Sequence, residues 1–188
     1  MEAPRCPWCL GDEDYIKYHD KEWGVPLKND QKLFELLILE GAQAGLSWIT
    51  ILKRRNGYRE AFEGMDPAKI ALYGQKDIKR LMNDSRIIRN RLKIESAIKN
   101  ARAYMSHFDG NFAKWLWNWV DGKPILNKYR NIEEIPSSTD LSERISKELK
   151  NKGFSFVGPT IIYAFMQSIG MVNDHLVSCF KHSRQKTP

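Results

Sequence analysis

One carboxylate, Glu40, lies within the apolar stretch "LILEGAQAGLSWITILKRR" at residues 37–55. An ionised, unpaired carboxylate away from water is costly, so Glu40 must have a partner, shift its pKa or face a pocket. Aromatic residues at the spacing seen around it usually belong to a core. Aromatic faces together with an acceptor also suit a flat ligand that is cationic or donates hydrogen bonds. The aromatic residues are Trp8, Tyr15, Tyr18, Trp23 and Trp48.

Cysteine and histidine residues near both ends of the chain form a second candidate site. His175 and Cys179 are four residues apart, so on a helix both side chains would lie on one face, as a tetrahedral zinc ion requires. Either Cys6 and Cys9 together, or one of them with His19, would complete four ligands. A Cys-x-x-Cys pair is also compatible with a redox role or with no role, but three cysteines are too few for a disulfide scaffold. The combined spacing favours a structural zinc ion.

The stretch "GFSFVGPT" at residues 153–160 lies between two helical patterns. Gly153 suits the C-terminal cap of one helix, and Gly158 followed by Pro159 suits the first turn of the next. Such a tight hairpin would expose backbone N–H groups at a helix N-terminus, where phosphate can bind. An ordinary connection between two helices accounts for the pattern equally well.

Positive charge is concentrated in one segment. The chain has a formal net charge of +7 and an isoelectric point near 9.3, which suits a polyanionic partner. Residues 76–102 contain nine Lys or Arg and three acidic residues, a net charge of +6. We interpret this segment as a candidate phosphate-binding surface, with a solvated helix face as the alternative.

Apolar residues recur three and four apart over most of the chain, which predicts an all-α fold. The predicted helices lie in "DQKLFELLILEGAQAG", "DIKRLMN", "RIIRNRLKIESAIKNARAYMSHF", "NFAKWLWNWV", "DLSERISKELKNKG" and "PTIIYAFMQSIG". Predicted turns separate them at Gly57, Asp66-Pro67, Gly110, residues 122–124 and residues 136–139. Residues 121–140 form the longest irregular stretch.

The length of 188 residues predicts a single domain, residues 1–188, in which the irregular stretch separates two helical lobes. No apolar stretch approaches the length of a membrane span, and the N-terminus lacks the apolar core of a signal peptide. We therefore expect a cytoplasmic protein that does not bind membranes.

From Cys6 to about Cys179 the sequence resembles the DNA-3-methyladenine glycosylase I family. The resemblance rests on "YHDKEWGVP", "LEGAQAGLSWITIL", "RIIRNRLKI", "NARAY", "EIPSSTD", "LKNKGFSFVGPTIIYAFMQSIGMVNDH" and the terminal His-x-x-x-Cys. It implies a helical fold of the helix-hairpin-helix superfamily whose chain ends are joined by one zinc ion, with a DNA-binding cleft between the two lobes. Arg86 departs from the pattern, because a small residue is expected before the Ile-Ile-Arg run.

The resemblance also implies roles for individual residues. Cys6, His19, His175 and Cys179 look like the zinc ligands, which leaves Cys9 as an extra thiol. Glu40 and Tyr18 look like the catalytic, base-recognising pair. The remaining implied residues are Trp8 and Trp48 as stacking walls, Tyr15 and Trp23 as pocket lining, Leu46 as a wedge that enters the DNA stack, and Gly153, Val157, Gly158 and Thr160 of the hairpin as DNA contacts.

The implied function is base-excision repair: the protein would flip 3-methyladenine out of alkylated double-stranded DNA and hydrolyse its bond to the sugar. We expect a monomer. We also expect no strand cleavage, because no lysine suggests a Schiff-base nucleophile. Asp140 and Asp174 do not fall where the superfamily's catalytic aspartate would lie. The competing interpretation is a non-catalytic, zinc-stapled nucleic-acid-binding module, which would not need Glu40, Tyr18 and Trp48. A zinc hydrolase is disfavoured, because four protein ligands would close the metal to water.

Overall fold

The computed structural model describes residues 3–182 and is mostly helical over them, as the periodicity predicts. Within these residues no helix is both long and apolar enough to cross a membrane. The α-helices are α1 (Glu13–Lys21), α2 (Asp30–Gln43), α3 (Trp48–Leu52), α4 (Arg55–Ala61), α5 (Pro67–Ala71), α6 (Gln75–Met82), α7 (Arg91–His107), α8 (Phe112–Trp117), α9 (Asp140–Asn151) and α10 (Pro159–Ser168). Single 3₁₀ turns lie at Pro7–Cys9, Glu63–Met65, Asn118–Val120 and Ile132–Glu134.

Helix α2 runs through the main core. The side chain of Asn29 accepts a hydrogen bond from the Lys32 N–H and caps its first turn. Its apolar residues are buried against helices α7, α8 and α10, so α2 is apolar on most of its circumference. Glu40 therefore lies on a rigid, buried element whose position is fixed from several sides.

Two details of the predicted helices are wrong. Helix α7 begins at Arg91 rather than at Arg86, because the Asn90 side chain caps it by accepting from the Lys93 N–H. Gly57 was predicted as a turn but lies inside helix α4. A Cβ at Gly57 would lie 2.6 Å from the Arg86 carbonyl oxygen, so glycine is needed there for close packing.

The connection between α9 and α10 has the predicted hairpin geometry. Gly153 has φ +89°, and its N–H donates to the Lys150 carbonyl while the Phe154 N–H donates to the Leu149 carbonyl. This is a Schellman cap, which glycine adopts without strain. Helix α10 then begins with Gly158 at its N-cap and proline at its first position.

A short parallel pair of strands, β1 (Ile125–Leu126) and β2 (Val172–Asn173), joins the irregular stretch to the segment after α10. Strands of two residues leave no period-two signal, so the sequence did not predict them. The pair holds residues 127–137 beside helix α10. A second, smaller cluster of buried side chains lies where the chain ends meet, apart from the main core; it comprises Cys6, Tyr18, Trp23, Leu176 and Cys179.

Candidate functional site

A cavity of about 340 Å³ lies between α1, α2, α10 and the irregular stretch. It brings together Glu40 and every aromatic residue that surrounds it in sequence: Trp8, Tyr15, Tyr18, Trp23 and Trp48. Its other lining residues are Gln43, Ile132, Ile135, Pro136, Ser137, Thr160, Tyr163, Ala164 and Gln167. Volume and lining suit one flat, ring-shaped ligand.

Glu40 is the carboxylate of this cavity lining and is only 4% exposed. Within residues 3–182 it forms no ion pair with Lys, Arg or His. Burial raises the pKa of Glu40 to about 8, and the nearby Ser168 hydroxyl offsets only part of that effect. The site is therefore poised to hold a positive charge, which would favour the ionised carboxylate.

The aromatic side chains pack against one another around this carboxylate. The rings of Tyr18 and Trp48 lie 5.6 Å apart and are tilted by 45°. Trp8 makes edge contacts at 5.0 Å with both Tyr15 and Trp23. Tyr18 is buried, and burial followed by the nearby Glu40 charge raises its pKa well above the usual value, so it remains a phenol that can donate a hydrogen bond.

Several lining residues were missed in the sequence. Gln43 lies one helical turn after Glu40, so its spacing could have identified it. The same holds for Tyr163 and Gln167, which follow Thr160 on one face of α10. Thr160, predicted as a DNA contact, is exposed and lines the cavity. The wall formed by residues 132–137 has no periodic pattern and could not be identified from sequence.

The four predicted zinc ligands converge at the ends of the chain. Cys6, His19, His175 and Cys179 are buried, and their ligand atoms lie within 4.8 Å of one another. Cys179 Sγ lies 3.4 Å from His19 Nε2 and 3.6 Å from His175 Nδ1, and Cys6 Sγ lies 3.7 Å from His175 Nδ1. A tetrahedral zinc ion with usual Zn–S and Zn–N lengths separates sulfur and nitrogen by about 3.6 Å. These residues therefore fit a metal ion.

The second ring nitrogen of each histidine has its own partner. His19 Nδ1 lies 2.8 Å from Asp20 Oδ1, and Arg5 holds that carboxylate through three hydrogen bonds of 2.9 to 3.1 Å. His175 Nε2 lies 3.1 Å from the Trp23 carbonyl oxygen. Such outer partners orient histidine ligands for a metal. Cys9 lies outside the group, because its thiol donates to the Cys6 carbonyl oxygen at 3.1 Å.

Leu46 lies on the turn after α2, is 38% exposed and does not line the cavity. Lys93 braces this turn from α7: its Nζ donates to the Ala42 and Ala44 carbonyl oxygens at 2.7 and 2.6 Å. Burial lowers the pKa of Lys93. Gln43 also donates to the Leu46 carbonyl oxygen at 3.1 Å. The exposed leucine therefore stands on a fixed turn beside the cavity.

The hairpin residues fall into two groups. A Cβ at Gly158 would meet no atom within 4 Å, so that backbone faces open space. Val157, predicted as a DNA contact, is 1% exposed, and its carbonyl oxygen accepts from the Ser146 hydroxyl at 2.6 Å. Its side chain belongs to the core, and the predicted DNA contact at Val157 stays a prediction.

Much of the basic segment has partners inside the protein. Arg80 and Arg102 donate to backbone carbonyls, Arg86 pairs with Asp84 and Glu60, and Lys93 braces the turn described above. Arg91 pairs with Glu95. The remaining basic side chains of the segment are exposed and have no partner among the described residues: Lys76, Lys79, Arg89 and Lys99.

Comparison with known proteins adds to this geometry. Residues 8–182 match the methyladenine glycosylase family. The chain is 51% identical over 177 residues to the DNA-3-methyladenine glycosylase of Haemophilus influenzae, covering 93% of this chain and 96% of that protein. A crystal structure of 3-methyladenine DNA glycosylase I matches with a TM-score of 0.91 and 49% identity, covering 94% of this chain and 98% of that one. A Staphylococcus aureus structure on 3-methyladenine recognition by this enzyme matches with a TM-score of 0.90 and 36% identity, covering 95% and 96%.

Proposed function

Because this chain belongs to the methyladenine glycosylase family, we propose that it removes 3-methyladenine from alkylated DNA by hydrolysing the bond between the base and its sugar. The observation that carries this proposal is the buried Glu40 carboxylate, which has aromatic neighbours in the cavity and no ion-pair partner among residues 3–182. A phosphate-binding module would not need such a group.

Glu40 would recognise the base through its charge and its acceptor atoms. Methylation at N3 gives the base a positive charge while it is attached to the sugar, and the carboxylate favours that charge. It also accepts from the exocyclic amine of adenine, where guanine presents an oxygen that the carboxylate repels. Tyr18 acts beside it as a donor, and the Trp8 and Trp48 rings pack on the base while Tyr15 and Trp23 close the pocket.

A base inside a duplex cannot reach this cavity, so the nucleotide must be flipped out of the stack. Leu46, exposed on its braced turn, fits the role of the wedge that fills the vacated space. The open backbone at Gly158 and the first turn of α10 fit a helix-hairpin-helix contact with phosphate. These contacts position the duplex without reading its sequence.

Cleavage would rely on the labile bond of the charged nucleoside and on electrostatic selection in the cavity. Water attacks the sugar carbon as the neutral base departs with the bonding electrons, and the water's proton passes to solvent. Neither Asp140 nor Asp174 lines the cavity, so neither is in a position to activate this water. The DNA strand stays intact, because the group that attacks the sugar is water and not a lysine nucleophile.

The Cys6, His19, His175 and Cys179 group would hold a zinc ion with a structural role, since four protein ligands leave no position for water. Joining the chain ends in this way supports the wall of the cavity formed by Trp8 and Tyr18. The organisation as one domain, action as a monomer and a location in the cytoplasm stay predictions.

Incubating the purified protein with methylated DNA and separating the released bases by chromatography tests this function. We expect free 3-methyladenine and intact strands on a denaturing gel. Binding of the methylated DNA without release of any base would instead identify a non-catalytic module.

A further inference from the structure

Asp174 is a buried carboxylate that the proposed chemistry does not use. It follows strand β2, is 1% exposed and accepts three hydrogen bonds from neutral side chains. The Tyr163 hydroxyl donates at 2.6 Å and Gln167 Nε2 at 2.8 Å, both to Oδ2, while Asn127 Nδ2 donates at 2.7 Å to Oδ1. Burying a carboxylate among uncharged donors is costly, which suggests that this arrangement serves the site.

Two of these donors, Tyr163 and Gln167, line the cavity on helix α10. A carboxylate offers only acceptors here, so the Gln167 amide must face it with its NH₂ group. The Gln167 carbonyl oxygen, Oε1, is then turned away from Asp174, and none of the described residues donates a hydrogen bond to it. Asp174 thus decides which end of the amide is left for a ligand.

We propose that Asp174 is a positioning residue that orients Gln167 so that its carbonyl oxygen acts as a second acceptor for the exocyclic amine of the bound base. This inference rests on the proposed function. The amine has two N–H groups, and the cavity would meet them with Glu40 on α2 and Gln167 on α10. Helices α2 and α10 pack against each other, and Glu40 and Gln167 both line the cavity.

This arrangement contributes to specificity. A guanine-type base places an oxygen where adenine has its amine, so that oxygen would face the acceptor oxygens of Glu40 and Gln167. If the Gln167 amide could rotate freely, its NH₂ group could instead satisfy that oxygen. Fixing the amide through Asp174 therefore excludes the wrong base as well as binding the right one.

Asp174→Ala and Gln167→Met test the proposal by calorimetric titration with free 3-methyladenine and free 3-methylguanine. Each variant should raise the Kd for 3-methyladenine by about tenfold and reduce the ratio between the Kd values of the two bases. Because Asp174 acts through Gln167, the double variant should bind 3-methyladenine no more weakly than Gln167→Met alone. Losses of 3-methyladenine affinity that multiply in the double variant would overturn the proposal. An unchanged preference for 3-methyladenine over 3-methylguanine in Asp174→Ala would overturn it as well.

A charge-preserving exchange, Asn127→Asp with Asp174→Asn, separates orientation from stability. The new carboxylate at position 127 accepts from the Asn amide at position 174, whose carbonyl oxygen then faces Gln167 as before. This double exchange should keep the preference for 3-methyladenine, and loss of the preference in a folded, metal-containing protein would contradict the proposal. Wild-type protein that releases no 3-methyladenine from DNA would refute the proposed function. Normal release with unchanged selectivity in Asp174→Ala would refute only this inference.

Discussion

Replacing Glu40 with Gln tests the central residue of the site, because the two side chains have nearly the same shape. The substitution removes the charge and exchanges one acceptor oxygen for a donor amide. Loss of a charge-assisted hydrogen bond, with a mismatched polar group left in a cavity where the residue is 4% exposed, should cost roughly 1 to 3 kcal/mol. We expect the Kd for free 3-methyladenine to rise by about one to two powers of ten.

The same substitution has a second consequence, for stability. The pKa of Glu40 is raised from its ordinary value of 4.5 to about 8, so between these values the folded protein holds a proton that the unfolded chain has lost. This stabilising contribution is fully present below pH 4.5 and is lost as the pH rises to about 8. At about 1.4 kcal/mol per pKa unit, the total loss is at most about 5 kcal/mol. Glu40→Gln should remove this pH dependence and melt higher than the wild type at pH 9.

The assay combines calorimetric titration with 3-methyladenine and thermal melts at pH 5 and pH 9. Glu35→Gln is a matched control, since Glu35 is also buried on α2 but pairs with Arg59 at 2.8 Å. This control should lower stability and leave the affinity unchanged. A folded Glu40→Gln protein with wild-type affinity, or one that is destabilised at pH 9, would refute the assignment of Glu40 as an unpaired recognition group.

The pH dependence of excision follows from the same pKa. If Glu40 acts as proposed, only its ionised form stabilises the cationic base, so kcat/KM should rise with pH up to about 8 and level off above it. In Glu40→Gln the rise should disappear. An unchanged pH profile in this variant would show that another group titrates.

Three further predictions concern the metal, the hairpin and the turn. Cys179→Ser should lower zinc content, measured by elemental analysis, and the melting temperature, whereas Cys9→Ser should keep the metal because Cys9 lies outside the ligand group. Gly158→Leu should weaken binding to damaged and undamaged DNA alike. The fold should stay stable, because the φ of −62° and the open surroundings of Gly158 accept a side chain. Weaker binding of damaged DNA alone would refute a backbone contact. Lys93→Met should lower the free energy of unfolding by roughly 1 to 3 kcal/mol and weaken damaged-DNA binding, because two carbonyls at the end of α2 lose their donor. Equal effects from Lys99→Met would contradict this prediction.

The sequence predicted best the features that depend on local chemistry. Helix α2 and the hairpin follow from periodicity and capping residues. Helix α2 begins at Asp30 as predicted but ends at Gln43 rather than at Gly45, and the cap at Gly153 agrees with expectation. The metal group was narrowed rather than fixed. His175 and Cys179 do meet at one site, but the predicted helix is wrong, because residues 174–180 form irregular chain and turns. Spacing alone could not choose between Cys9 and His19. That choice depends on where the first helix places its histidine.

The features that were missed depend on contacts between distant segments. Helices α3, α4 and α5 have only five to seven residues and are too short to establish a period. Gly57 belongs to a helix because the Arg86 backbone packs against it, and no local rule foresees that approach. The cavity wall at residues 132–137 likewise lies in an irregular stretch, a few residues after the pairing of β1 with the distant β2.

The hairpin packs directly on helix α2 beside the Glu40 carboxylate. Phe156, in the hairpin, has φ +54° and packs on Gly41. A Cβ added at Gly41 would lie only 3.3 Å from the Cβ and from the carbonyl oxygen of Phe156. Gly41 follows Glu40 directly on α2. Ser155, the residue before Phe156, is bound to Asn100 of α7 through two hydrogen bonds with its backbone, at 2.8 and 2.9 Å. The proposed phosphate contact at the hairpin would therefore fix the duplex relative to the carboxylate with little freedom between them. This rigidity matters because a flipped base gains from the cavity only if the backbone is held where the base can reach it.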